Sequence, residues 1–231
     1  MPLTVNELAR MVDLSAVRTD VTFAEVRQLA DLARRYNCVC AFAMPCYTRE
    51  LAAMLAEAPQ VSVGGVVGFP SGAAAPAIKA AEARQQLADG ADELDMVMNV
   101  GLLLSQRYKG VVTDIQAVVD AAGATPVKVI IEAHYLSDDQ IRRAAELCLR
   151  AGAAFVKTST GWTPTGATPH NISLIKSVVG DKARIKAAGG IRDLACLVEL
   201  YRCGARRFGI SLASGAKILA EAAAMPGGVE M

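Results

Sequence analysis

The chain has 231 residues, of which 53% are hydrophobic and 20% charged. That length suits one large domain, an α/β barrel being the commonest solution, and the apolar share excludes disorder and low-complexity architecture. With 24 basic against 23 acidic residues the net charge is +1, which is no footprint for nucleic acid or for a charged membrane surface. Small molecules are the expected partners.

In chain order, residues 1–8 lack the basic, apolar and small-residue succession of a signal peptide. A weak strand signal near 11–14 is followed by a helical pattern over 23–36, before which Thr19 or Asp20 can cap. Strand-like segments lie at 39–44 and 62–68. The uncharged run 61–78 carries four glycines, two prolines and two serines, which argues against a membrane-spanning helix. A helical pattern at 77–88 leads to a strand at 93–99, and a strand at 127–133 leads to a helix at 138–151. Ser137 with Gln140 gives that helix a capping signature. Strands at 155–160, 184–188 and 207–211 complete the series, with a helix at 194–203 between the last two. Gly90, Gly152 and Gly204 close helical patterns, and Pro226-Gly227-Gly228 predicts a flexible end over 220–231.

Strand centres recur at roughly the length of a βα unit, which implies a parallel sheet. Eight units predict one closed (β/α)8 TIM barrel over residues 1–231, with a doubly wound open sheet as the alternative. The six cysteines include no C-x-x-C pair, and the spacing of Cys38, Cys40 and Cys46 is wrong for a metal knuckle. Reduced, buried thiols in a cytoplasmic protein are expected.

The informative residues are charges inside strands. Successive strand residues face opposite sides. Asp95 therefore faces away from Leu94 and Met96, Lys157 away from Val156, and Lys186 away from Ile185. Lys128 and Glu132 share the face opposite Val127, Val129 and Ile131. The outer face of a barrel strand packs on helices and must be apolar, so these five side chains should share the space inside, toward the mouth where barrel enzymes carry their chemistry. Burial and a neighbouring cation both disfavour an ammonium. Lys157 and Lys186, on adjacent strands, suit an amine freed to attack a carbonyl and form an imine, with Asp95 moving protons. A metal-stabilised enolate is poorly supported, since His134 and His170 have no ligand-like spacing and suit surface or capping roles. Gly161, Gly189, Gly190 and Gly209, with Ser211, follow or end the last three strands, where helix N-termini offer N–H groups to a phosphate. There is no nucleotide-binding glycine motif.

At this point the motifs resemble a known family. Phe155-Val156-Lys157-Thr158-Ser159-Thr160-Gly161 with Gly166-Ala167-Thr168, and Lys186-Ala187-Ala188-Gly189-Gly190-Ile191-Arg192, look like the Schiff-base signature of the deoxyribose-phosphate aldolase family. Gly90 to Val97, Lys128 to Glu132, and Val67 to Gly72 are similar as well, so the likeness runs from about Asp13 to Lys217 in order. The resemblance implies a class I aldolase without metal or other cofactor, cleaving 2-deoxy-D-ribose 5-phosphate reversibly to acetaldehyde and D-glyceraldehyde 3-phosphate in deoxynucleoside catabolism. It implies the imine on Lys157, assistance from Lys186, and a proton relay through Asp95. Phosphate contacts map onto Gly161, Gly189, Gly190, Gly209 and Ser211, and pocket positions onto Asp13 and Lys128. Barrels of this family are often homodimers.

The chain departs from the family pattern in Phe42-Ala43-Met44-Pro45, Asp13-Leu14-Ser15, Ser211-Leu212 and Trp162. Phe42, Met44 and Leu212 raise a second reading, the same imine chemistry on a less phosphorylated or more apolar aldehyde. A third is a catalytically silent barrel that binds a sugar phosphate.

Overall fold

A computed structural model describes residues 2–231. The elements run α1 (Val5–Ala9), β1 (Val12–Ala16), α2 (Phe23–Tyr36), β2 (Cys40–Ala43), α3 (Thr48–Leu55), β3 (Ser62–Val67), α4 (Pro76–Ala88), β4 (Glu93–Val97), α5 (Val100–Leu104), α6 (Tyr108–Ala122), β5 (Val127–Ile130), α7 (Asp138–Arg150), β6 (Phe155–Lys157), α8 (Pro169–Val179), β7 (Arg184–Ala188), α9 (Leu194–Arg202), β8 (Arg207–Ser211) and α10 (Leu212–Ala223). The eight strands are parallel neighbours in chain order, and β8 pairs with β1 to close a (β/α)8 barrel.

The closure follows from how each strand divides its two faces. Leu94 and Met96 of β4, Val127 and Val129 of β5, Val156 of β6, Ile185 and Ala187 of β7, and Phe208 and Ile210 of β8 are all buried in one apolar layer against the helices. Truncating a large member of that layer such as Met96 to alanine would cost about 2–5 kcal/mol through lost transfer energy and the cavity left behind. The inner face is thereby left free for polar residues.

Helix starts follow side-chain chemistry. Thr22 with Glu25, Ser137 with Gln140, and Thr168 with Asn171 form reciprocal caps at α2, α7 and α8. The cap of α2 is thus Thr22, not Thr19 or Asp20, because its hydroxyl lies three residues before the carboxylate that can reach back to its own N–H. Five predicted strands are longer than those formed, β2 among them, which spans only Cys40–Ala43 of the predicted 39–44. β3 stops at Val67, β4 at Val97, β5 at Ile130 and β6 at Lys157, since the chain turns into loops at the mouth. Glu132 there adopts a left-handed conformation with φ 49°.

The C-terminal segment is not loose. Leu3 and Val229 exchange two backbone hydrogen bonds of 2.8 Å, and Val229 is buried. Because α10 begins at the mouth and runs back along the barrel, this docking lies at the end remote from the mouth. Of the six cysteines, all free, Cys38, Cys40 and Cys148 are buried as expected, but Cys196 and Cys203 are half-buried and Cys46 is exposed. Among the described residues no helix is long and apolar enough to cross a membrane.

Candidate active site

Strand register assembles the site. Asp95 on β4 is level with Lys128 on β5, Lys157 on β6 with Lys186 on β7, and Lys186 in turn with Arg207 on β8. Residues level on parallel neighbours point to the same side, so these side chains converge inside the barrel.

Asp95 is the hub. Its Oδ2 accepts from Lys157 Nζ at 2.7 Å and from Lys186 Nζ at 2.6 Å, and its Oδ1 accepts from Lys128 Nζ at 3.0 Å. Lys186 also touches Asp13 Oδ2 at 2.5 Å, and Lys128 touches Glu93 at 2.7 Å. The Arg207 guanidinium bridges Asp13 and Glu93. The cluster therefore holds four cations, Lys128, Lys157, Lys186 and Arg207, against three carboxylates, Asp13, Glu93 and Asp95. Phe42 covers it, with Lys186 Nζ 4.2 Å and Lys128 Nζ 4.9 Å from the ring centroid, a favourable placement for a desolvated cation. The ring fits there because β3 carries Gly64. A Cβ at that position would lie 2.1 Å from Phe42 Cε1.

The excess of cations sets the proton affinities. Burial, joined by the charge of Lys186 and less by Lys128, pushes the Lys157 ammonium down to about 8 against the pull of Asp95. Burial alone would raise Asp95, yet the charges of Lys128, Lys157 and Lys186 hold it well below the usual carboxylate range. Asp13 is lowered in the same way, burial being outweighed by Lys186, Lys128 and Arg207. Lys128 behaves oppositely to Lys157. It is buried too, but Asp95 and Asp13 overcome the burial and raise it. Lys157 is thus pushed toward the neutral amine while Lys128 is held as the ammonium.

Lys157 and Lys186 open onto a cavity of about 230 Å³ at the mouth, whose wall includes Gly161, Gly189, Gly190, Gly209 and Ser211. Gly189 and Gly190 have φ of 81° and 83°, values that favour glycine. At Gly209 the missing Cβ leaves room for the Lys186 stem, 3.1 Å from where that atom would be. Ser211 caps α10, its hydroxyl accepting from Ser214 N–H, so the positive end of a helix faces the cavity. Asp13 reaches the cavity at its floor, whereas Asp95 and Lys128 lie beneath it.

Glu132 does not join the other four strand charges. Parity fails there because β5 ends two residues earlier. Its carboxylate turns to the β6–α8 loop and accepts from Ser159 Oγ at 2.7 Å, from Thr160 N–H and hydroxyl, and from Thr163 Oγ1. It thus ties down the segment that follows Lys157. His134 Nδ1 meets Thr165 Oγ1 at 2.6 Å and His170 Nε2 meets Asp138 at 2.9 Å, both exposed, in keeping with surface roles.

Several residues at the site escaped sequence reasoning. Arg207 shares strand parity with Gly209 and Ser211, and Glu93 with Asp95, so the rule that found the lysines also reaches these two. Arg18, Arg192 and Ser214 line the cavity from loops and a first helical turn, where strand parity carries no information.

One grouping of potential metal donors occurs among the described residues, Asp13, Cys40 and Glu93, whose ligand atoms lie within 4.8 Å of one another. It does not fit a cation. The Arg207 guanidinium already spans both carboxylates, and burial raises the Cys40 thiol well above its ordinary value, keeping it protonated.

Comparison with known proteins bears on the family and the fold. The family model described as DeoC/LacD family aldolase matches residues 8–217. A deoxyribose-phosphate aldolase of Klebsiella pneumoniae is 48% identical over 94% of this chain and 88% of its own. One of Rhizobium meliloti is 41% identical over 98% of this chain and 91% of its own. Among solved structures, a deoxyribose phosphate aldolase from Aeropyrum pernix, described as a unique tetramer, superposes with a TM-score of 0.86 at 31% identity, covering 94% of this chain and 92% of that one.

Proposed function

The chain belongs to the DeoC/LacD aldolase family, and we infer that it cleaves 2-deoxy-D-ribose 5-phosphate reversibly to acetaldehyde and D-glyceraldehyde 3-phosphate through an imine on Lys157. The observation that carries the assignment of residues is the sharing of one Asp95 oxygen by Lys157 and Lys186 beneath a cavity bordered by the α10 N-terminus.

The chemistry follows from the charges. With its ammonium pushed to about 8, Lys157 presents a neutral fraction near physiological pH that attacks C1 of the open-chain sugar. Loss of water gives a protonated imine. Removal of the C3 hydroxyl proton then lets the C2–C3 bond break, its electron pair flowing into the imine to leave an enamine and release glyceraldehyde 3-phosphate. Protonation of the enamine and hydrolysis return acetaldehyde and the free amine. Asp95, in contact with both Lys157 and Lys186, and Lys186 beside it are placed to hold and return these protons. The phosphate fits at Gly189, Gly190 and Ser211, beside the α10 N-terminus. Asp13 and Lys128 act from below, fixing Lys186 and Asp95. The reaction needs no metal in this reading. We place the protein in the cytoplasm as a homo-oligomer, which six unpaired thiols and the tetrameric relative support.

Borohydride trapping with acetaldehyde, followed by peptide mapping, tests the assignment. The reduced adduct is expected on Lys157 and is expected to vanish in Lys157→Leu, with turnover surviving a chelator. An adduct elsewhere, or loss of activity on chelation, overturns it. Phe42 leaves the reading with the free sugar testable by the same enzyme. Preference for unphosphorylated deoxyribose would favour that reading.

A further inference from the structure

Trp162 crosses the barrel mouth. It follows β6, yet its indole Nε1 donates to the carbonyl of Val17, just beyond β1, at 2.9 Å. Three strand intervals separate β6 from β1 by way of β7 and β8, so the side chain reaches across the opening rather than along its rim. The ring is held in two other ways. Phe69, from the loop after β3, meets it edge-on with centroids 5.9 Å apart, and the backbone N–H of Trp162 donates to Thr160 Oγ1, which Glu132 anchors in turn.

Such a crossbar has two sides. On one lies the cavity with Lys157, Lys186 and the glycine rim. On the other lies a second cavity of about 440 Å³, walled by Pro70, Val97, Val100, Leu104 and Tyr135. Thr160 and Trp162 line both. The polar groups of Glu132, Thr160 and Thr163 that border the second cavity are engaged with one another, and more of its wall is hydrocarbon than polar. That volume is large enough for a small organic group.

Lys157 opens into the first cavity alone, and Thr160 and Trp162 stand between it and the second. The helix N-termini that suit a phosphate lie past β7 and β8, whereas the second cavity lies past β3, β4 and β5. An alkyl chain on the enamine carbon next to the imine, directed away from the phosphorylated partner, would therefore run into Trp162 first and the second cavity next. We propose that Trp162 is the specificity-determining partition of this mouth, restricting the imine-forming donor to short aldehydes by closing off the cavity behind it, which would otherwise take the alkyl chain of a longer donor aldehyde. The proposal rests on the imine reading above and adds a size limit to it.

The test compares pentanal with acetaldehyde as donor, glyceraldehyde 3-phosphate being the acceptor, as the ratio of their kcat/KM values. In Trp162→Ala and in the milder Trp162→Leu the ratio is expected to rise at least about tenfold over the unmodified enzyme, the scale set by admitting a few methylenes to an apolar pocket. Adding Val100→Phe to either variant, which puts a ring into the second cavity, is expected to lower the ratio again. The proposal falls if the ratio stays within about threefold in both variants, a change too small for one methylene. It also falls if Val100→Phe leaves the gain intact, since the added room would then lie in the first cavity. Failure of the unmodified enzyme to trap acetaldehyde on Lys157 would instead bring down the imine reading itself, and the partition with it.

Discussion

Replacing Lys186 by methionine should move the titration of Lys157 upward. Both ammonium nitrogens contact the same Asp95 oxygen, at 2.7 and 2.6 Å. They can be no farther apart than those lengths laid end to end, about 5 Å, where two unit charges repel by roughly 1 kcal/mol in bulk water and roughly 3 kcal/mol at an effective dielectric of about 20. Taking the lower half of that range, because burial remains the larger influence on Lys157, the loss of one neighbouring charge raises its titration by about 1 to 1.5 pH units. Freed of a competitor, Asp95 also pulls harder on Lys157, which acts in the same direction. The assay is the initial rate of borohydride trapping of acetaldehyde at Lys157 between pH 6 and 11. The unmodified protein should be half-maximal near pH 8, and Lys186→Met nearer pH 9 to 9.5, with trapping at pH 7 reduced by about ten- to thirtyfold. Superimposable profiles would refute the argument, because they would mean that desolvation alone sets the amine and that the second lysine is electrostatically silent.

Other expectations follow from the same geometry. Lys157 itself costs stability near neutrality. Its proton affinity is depressed in the fold from 10.5 to about 8, so the unfolded chain binds more protons between those values, and its contribution to stability should rise with pH across that window by roughly 3 kcal/mol in all, read as the difference in urea midpoints between the parent and Lys157→Met. Glu132→Gln loses acceptor capacity for the Ser159, Thr160 and Thr163 hydroxyls. It should lower the melting temperature by about 3–8 °C in calorimetry, as expected for 1–3 kcal/mol in a chain of this size. Gly64→Ala drives a Cβ into the Phe42 ring and should destabilise by about 1–3 kcal/mol, with Phe42→Leu recovering part of the loss; simple additivity of the two changes would argue against that contact. Arg192→Ala should lower the preference for deoxyribose 5-phosphate over deoxyribose by about tenfold, in proportion to one charge-assisted contact with the phosphate. An unchanged ratio would place the phosphate elsewhere.

Alternation along strands was enough to bring Asp95, Lys128, Lys157 and Lys186 into one interior, because that rule depends on nothing beyond the two faces of a strand and the apolar demand of the outer one. It failed at Glu132, where the strand had already ended and a left-handed backbone redirected the side chain. No local pattern marks where hydrogen bonding to a neighbour strand stops. The rule also had the means to find Arg207 and Glu93, but their partners, Asp13 among them, lie on strands distant in sequence that meet only when β8 closes on β1. Trp162 is a different case. Its contacts with Val17 and Phe69 join three separate loops, and loop trajectories are not encoded in periodicity. The C-terminal glycines read as mobility, but Val229 supplies both a buried side chain and a backbone pair for Leu3, and these order the segment.

The unequal count of basic and acidic groups beneath the cavity has a further consequence. With every member ionised the interior carries one surplus positive charge; once Lys157 sheds its proton it is electroneutral, and formation of the iminium restores the surplus. A catalytic cycle of this kind alternates the host between balance and a single unit of excess, never requiring it to accommodate more. The electrophilic intermediate thus occupies surroundings already built to tolerate its charge.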